Sequence, residues 1–212
     1  GIFAVQLCKV MGANAIAVVS SEAKARLAQS LGARWTINRK EYDIARRENE
    51  TPAQEKHRLE ETKRFGKALR EMTGGRDVDV VFEHVGRETF PASVFLASRF
   101  GRIVICGATS GYNLDFDVRH LWMRQKQIIG SHFANAYEAW RANQLVIDGK
   151  IQPFLDTVWS FDETPRAHAE MAANHHMGKM AIAVGAAAEA RIDEAERAQQ
   201  QPYGLQENAP VL

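Results

Sequence analysis

Two serines and a lysine, Ser20-Ser21 with Lys24 one turn on, follow the short apolar run Ala15-Ile16-Ala17-Val18-Val19. Hydroxyls and an ammonium at the end of a buried strand suit a ribose 2′-phosphate, whereas an Asp or Glu there would accept a hydrogen bond from a ribose 2′-OH. A second reading stands beside this one: Ser20 caps the following helix and Lys24 is solvated. Glu83-His84-Val85-Gly86 and Cys106-Gly107-Ala108-Thr109 close two further apolar runs. Their small residues let a flat ring and its ribose approach the backbone, although turn residues of this kind need no ligand. Gly1 heads an apolar helical pattern, where free N–H groups and the helix dipole would receive a pyrophosphate. Most of the glycine fingerprint of such a site is absent. His132 follows Gln127-Ile128-Ile129-Gly130-Ser131 and either faces the same crevice as the other strand ends or serves only in packing.

These residues share a location only if the elements between them alternate, and the periodicity says that they do. After an opening helix and the strand 15–20, a helix over Glu22–Leu31 ends at Gly32, and Arg34–Asn38 is a second short strand. Residues 39–62, dense in Arg, Lys and Glu, read as a solvated charged insertion with room for helical turns. A helix over Lys63–Met72 stops at Thr73-Gly74-Gly75, followed by a strand over 77–83, a helix over 87–97 and a strand over 101–107. A strand over 127–132 and a helix from Ala136 to Ile147 complete the rhythm. This α/β alternation predicts a doubly wound parallel sheet of Rossmann type over residues 1–150. The opening helix has no strand before it, so the sheet is expected to miss its first strand and the chain to be a piece of a longer one. Residues 151–184 then read as an extended segment, a helix and a strand that return to pack on a catalytic domain absent here. Residues 185–212, rich in Ala, Glu, Arg and Gln, are expected to form a loosely ordered tail.

Composition narrows the function classes. With 45% hydrophobic residues among 212 the chain can bury a core, and 27 basic against 26 acidic residues leave a net charge of +1. No overall field therefore favours nucleic acid or an anionic membrane, and an anionic ligand must be met by a local site. No apolar run approaches the roughly 18 to 20 residues of a membrane span, and no leader pattern opens the chain, which makes a cytoplasmic protein the expectation. Cys8 and Cys106 stand alone, read as buried thiols, and form neither a disulfide framework nor a CxxC pair. His168, His175 and His176 lack the spacing of a metal site, so no metal is expected.

Several motifs together carry a family resemblance: Val19-Ser20-Ser21 with Lys24, Ile37-Asn38-Arg39, Lys63-Arg64-Phe65-Gly66-Lys67, and Val81-Phe82-Glu83-His84 with Gly86-Arg87-Glu88-Thr89-Phe90. Leu121-Trp122-Met123 and Gly130-Ser131-His132-Phe133-Ala134 complete the set. The chain resembles the crotonyl-CoA carboxylase/reductases of the medium-chain dehydrogenase/reductase superfamily over about residues 1–184, most distinctively over 112–135. The resemblance implies NADPH-dependent reduction of an α,β-unsaturated acyl-CoA coupled to CO2 addition, in a homo-oligomer of tetrameric type. It implies cofactor contacts from Gly1, Ser20, Ser21, Lys24, Arg39, Val85, Gly86, Cys106, Gly107 and Ala108. It assigns coenzyme A contacts to Lys63, Arg70 and Arg119, and a place in the CO2 site to His132, with Asn, Phe and Glu partners from a segment outside this chain.

Three departures qualify that picture. His120 stands where the family commonly has Tyr, Val85 replaces a frequent Pro, and the amino-terminal half that holds most of the acyl pocket is missing, so this chain alone is expected to be inactive. The rival readings are an NADPH-dependent enoyl or quinone reductase without carboxylation and, from another class, a noncatalytic NADPH-binding or assembly fragment.

Overall fold

In the computed structural model, which describes residues 1–173 and 176–185, strands pair only in parallel. The expected tail from residue 186 on and His175 lie outside the described residues. Strand β1 (Ile16–Val19) pairs with β2 (Trp35–Asn38), Ile16 opposite Trp35 and Val19 opposite Asn38. A second ladder runs β3 (Val78–Glu83), β4 (Ala97–Ile105), β5 (Gln127–Gly130). Helices make the crossovers: α2 (Glu22–Ser30) between β1 and β2, α3 (Pro52–Met72) between the two ladders and α4 (Phe90–Leu96) between β3 and β4. Helix α1 (Ile2–Val10) precedes β1, the short α5 (Arg119–Trp122) precedes β5, and α6 (Ala136–Ile147) follows it. A last parallel pair, β6 (Leu155–Trp159) and β7 (Lys179–Ile182), encloses α7 (Thr164–Ala172). Gln6 of α1 ties this return segment to the rest, exchanging hydrogen bonds with the Gln152 backbone at 2.9 and 2.8 Å.

Two apolar clusters hold the ladders under α3 and α4. Phe90, Val94, Ala97 and Ile103 form one, and the full burial of Phe90, Val94 and Ile103 contributes roughly 1.5 to 3 kcal/mol each. Ile37, Phe65 and Leu69 form the other, and Ile16 of β1 and Val78 of β3 both pack against it. Helix α3 therefore spans both ladders. Between them β1 and β3 each keep an unpaired edge among the described residues, and Val18, Val80 and Phe82 are each more than half exposed. In the doubly wound order a first strand would occupy that gap.

Much of the charged stretch 39–62, read as a solvated insertion, is exposed, but from Pro52 on it is part of a helix that reaches the core. Helix α3 begins at Pro52, eleven residues before the apolar pattern does, behind a capping box in which Thr51 and Gln54 satisfy one another's backbone N–H. Its buried stripe is Arg58, Thr62, Phe65 and Leu69, so helical spacing continues upstream in polar residues. Arg58 is admitted to the interior because its Nε donates to both oxygens of Glu50 at 2.9 and 3.0 Å, a pair with side chains only 7% exposed. A pattern search for aliphatic residues misses this stripe.

Two boundaries also shift. Helix α4 is confined to Phe90–Leu96, and β4 starts at Ala97 instead of 101, through an irregular register between Val78 and Val80 of β3. The thiols were expected to be buried; Cys8 is half-buried and Cys106 exposed, because Cys106 lies one residue past the end of β4 where the ladder opens. Among the described residues no helix is long and apolar enough to cross a membrane.

Candidate functional site

Parallel strands put all their carboxyl ends on one side, and the register decides which residues meet there. Because Val19 is opposite Asn38, the chain leaves β1 at Ser20 and leaves β2 at Arg39 as neighbours. Ser21, not Ser20, caps α2: its Oγ accepts the Lys24 N–H at 3.3 Å. The cap reading therefore holds for one serine and leaves the Ser20 hydroxyl and the Lys24 ammonium uncommitted. Asn38 caps the 3-10 turn Arg39–Glu41 by accepting the Lys40 N–H, which turns the exposed Arg39 back at the strand end. Neither Lys24 nor Arg39 has an ion-pair partner among the described residues. Hydroxyl, ammonium and guanidinium form a donor set suited to a phosphate, and the neighbouring Glu22 pairs with Arg26 at 3.5 Å.

The other ladder ends differently. Beyond β3 and β4 the turns stay zipped: Cys106 N–H donates to Glu83 O at 3.1 Å, Thr109 N–H to His84 O at 3.3 Å, and Ser110 N–H to Val85 O at 2.7 Å. Gly86 has φ +92°, and a Cβ there would lie 2.8 Å from Ala108 Cα, so only glycine permits the approach. Ser131 N–H donates to Ile105 O at 2.8 Å, extending the β5 pairing by a residue and leaving Cys106 and His132 to depart from adjacent strands. The exposed His132 ring lies 3.8 Å from that of Phe133, at 44° between planes. Val85, Gly86, Cys106, Gly107, Ala108 and His132 thus share one side of the sheet.

Glu83, named in the sequence only as part of the motif that closes β3 and given no role of its own, carries this region. Its carboxylate is buried at 4% exposure and accepts from Val85 N–H at 2.8 Å, Gly86 N–H at 3.2 Å, the Thr89 hydroxyl at 2.9 Å and the Ser93 hydroxyl. An acid ending an apolar strand with hydroxyls six and ten residues on was the legible signal. The Val85 N–H is spent on this carboxylate, a bond that a Pro there could not make, so the departure at 85 changes more than turn rigidity. The charged segment before α3 also reaches these loops. Arg46 Nη1 donates to Asp115 O at 2.7 Å, Arg46 N–H to Glu88 O at 2.8 Å, and Arg87 pairs with Glu48 at 3.0 Å.

The three cations assigned to coenzyme A lie on packed helices. Lys63 and Arg70 are exposed on one face of α3, two turns apart, and α3, α4 and α5 are successive neighbours. Arg70 and the previously unremarked Arg124 converge on Asp77, at 3.3 and 3.6 Å. Arg119 donates to both oxygens of Asp117, Nε at 2.9 and 3.1 Å and Nη2 at 2.7 Å, which holds that carboxyl down to about 2 and orients a guanidinium that stays 72% exposed. His120 packs edge-on against Phe95 at 5.0 Å, and burial lowers its pKa below the ordinary imidazole value. Gly1 is the N-cap of α1 without a side-chain cap bond, so the amide groups of that first turn carry no capping side chain.

Parallel ladders with helical crossovers and polar strand ends on one side define a Rossmann-type nucleotide-binding domain. Residues 1–147 match the model of the family described as zinc-binding dehydrogenase, and the chain belongs to that family. It is 48% identical over 182 residues to a crotonyl-CoA reductase of Streptomyces avermitilis, covering 86% of this chain and 40% of that protein. It is 43% identical over 189 residues to a crotonyl-CoA carboxylase/reductase of Cereibacter sphaeroides, covering 88% and 44%. Among solved structures, a crotonyl-CoA carboxylase/reductase superposes with TM-score 0.80 at 44% identity, over 92% of this chain and 47% of that one. Another, in complex with NADP, superposes with TM-score 0.80 at 39% identity, over 86% and 46%. The chain spans less than half the length of these relatives. The family description names zinc, but among the described residues no three His, Cys, Asp or Glu side chains gather where they could hold a metal ion, so the residues present do not fit one.

Proposed function

We propose that this chain is the cofactor-binding and carboxyl-terminal part of an NADPH-dependent enoyl-CoA carboxylase/reductase. The observation that carries the reading is the β1/β2 strand end, where the chain leaves the two strands side by side and Lys24 and Arg39 have no ion-pair partner among the described residues. Ser20, Ser21, Lys24 and Arg39 hold the 2′-phosphate of NADPH, and the first turn of α1 at Gly1 receives the pyrophosphate. The backbone of Val85, Gly86, Cys106, Gly107 and Ala108 flanks the nicotinamide and its ribose. NADPH, when bound, supplies a hydride to the β carbon of the unsaturated thioester. The electron pair left at the α carbon then forms a bond to the carbon of CO2, whose oxygens become the new carboxylate. His132 contributes to the CO2 site, and Lys63, Arg70 and Arg119 bind coenzyme A phosphates, Arg119 being presented by Asp117. Residues 1–150 act as the NADPH-binding domain and 151–184 as the returning part of the catalytic domain, within a cytoplasmic homo-oligomer.

The test is an assay of the full-length protein with crotonyl-CoA, NADPH and labelled bicarbonate, with products identified by mass spectrometry. Labelled ethylmalonyl-CoA is expected. Butyryl-CoA at every bicarbonate concentration would establish the plain reductase instead, and cofactor binding without turnover would establish a noncatalytic module.

A further inference from the structure

We propose that Glu83 is a positioning residue for the reactive half of the cofactor, a role that rests on reading the β3/β4 ends as the nicotinamide side. Its carboxylate divides between two places. Val85 and Gly86 donate from consecutive amides of the turn after β3, while Thr89 and Ser93 donate from the entry and first turn of α4. One buried side chain therefore fixes the turn against a helix that is itself locked by Phe90 and Val94 in the core. From the turn the constraint passes onward without slack. Ser110 bonds Val85 O through both its N–H and its hydroxyl, at 2.7 and 2.8 Å, and Gly86 abuts Ala108 with no room for a methyl group. Shifting Val85 and Gly86 must shift Gly107 and Ala108 as well, so the backbone on both sides of the ring position depends on one carboxylate. Nothing comparable acts at the β1/β2 end, whose candidate ligands are independent side chains.

A Gln at position 83 could keep its carbonyl on the two amides and donate its NH2 to the Thr89 and Ser93 hydroxyls, whereas a Met of similar length removes every acceptor from the Val85 and Gly86 amides. In the full-length protein carrying Glu83→Met, NADPH affinity is expected to fall about tenfold or more, the size of one buried hydrogen bond left unmade. Adenosine 2′,5′-bisphosphate, which lacks the nicotinamide half, is expected to bind the variant within about twofold of wild type; the thresholds follow from the same bond. Equal weakening of both ligands, or of neither, overturns the proposal, because a merely structural Glu83 would loosen the whole domain or nothing. Should Glu83→Met fail to fold, Ser93→Ala decides: it removes one anchor of the carboxylate and leaves the amides in place, and a loss confined to NADPH supports the role while an unselective loss, or none, refutes it. Wild-type protein that binds neither ligand would instead defeat the functional reading above, and this inference with it.

Discussion

The two sets of strand ends solve recognition by different means. At β1/β2 the candidate ligand groups are long side chains, Lys24 and Arg39, held only at their backbones, Lys24 by the Ser21 cap and Arg39 by the Tyr42 N–H that its carbonyl accepts. At β3/β4 they are backbone atoms in turns zipped by hydrogen bonds and tied down by the buried Glu83. Side chains that carry charge tolerate displacement, because an ion pair in a solvated setting falls off gently with distance. A flat ring that must lie a van der Waals contact from the backbone tolerates very little. The difference predicts that substitutions at the first end change which cofactor is held, while those at the second change stability and geometry.

Gly86→Ala should have the largest effect. A left-handed φ of +92° and a Cβ 2.8 Å from both Ala108 Cα and Gly111 O force the turn to move, at a cost of about 1 to 3 kcal/mol from backbone strain alone. Urea denaturation should show that loss and NADPH titration a parallel weakening; wild-type stability would mean that the turn is not rigid. Next, Lys24→Ala and Arg39→Ala should each weaken NADPH by about 1 to 3 kcal/mol through a lost charge-assisted contact, while leaving NADH affinity and the melting temperature unchanged. Calorimetric titration with both cofactors checks this, and equal losses for the two would remove the phosphate from the β1/β2 end.

His132→Asn in the full-length protein should lower carboxylation more than hydride transfer, since His132 leaves β5 beside the proposed nicotinamide side without shaping the turns. Each ~1.4 kcal/mol lost in the competition between CO2 and a proton shifts the product ratio about tenfold. An unchanged ratio at fixed bicarbonate in a folded variant would return His132 to a packing role. The smallest effect belongs to the opposite end of the same ladder. Lys126 precedes β5, is 8% exposed, and donates from Nζ to Val94 O and Phe95 O at the end of α4. Burial, with Arg124 nearby, lowers its pKa from 10.5 to about 8. Between those two values the unfolded chain keeps a proton that the folded chain has released, so stability should rise with pH across that window. Denaturation midpoints measured from pH 8 to 10.5 should show the slope in wild type and lose it in Lys126→Met, with NADPH affinity unchanged in the variant because the proposed site lies at the other end of the strands.

The alternation of elements was legible because strands of a parallel sheet are short runs rich in β-branched and aromatic residues, and β1, β2, β3 and β5 each fall where such a run occurs. The start of α3 was hidden, since Arg58 and Thr62 occupy a helical stripe that only the Glu50 partner makes tolerable. The early start of β4 was hidden by an irregular register with β3, a property of the pair and not of either strand.

The sequence by itself determined the fold class, the family resemblance and the cationic character of the β1/β2 end, because apolar period and charge type are properties of residues in order. Tertiary structure alone decided that Ser21 and not Ser20 is the cap, that Arg119 is presented by Asp117, and that Glu83 ties the turn after β3 to α4. Each of these turns on where a hydrogen-bond donor finds its acceptor, and that is fixed only when strands, turns and helices have been packed together.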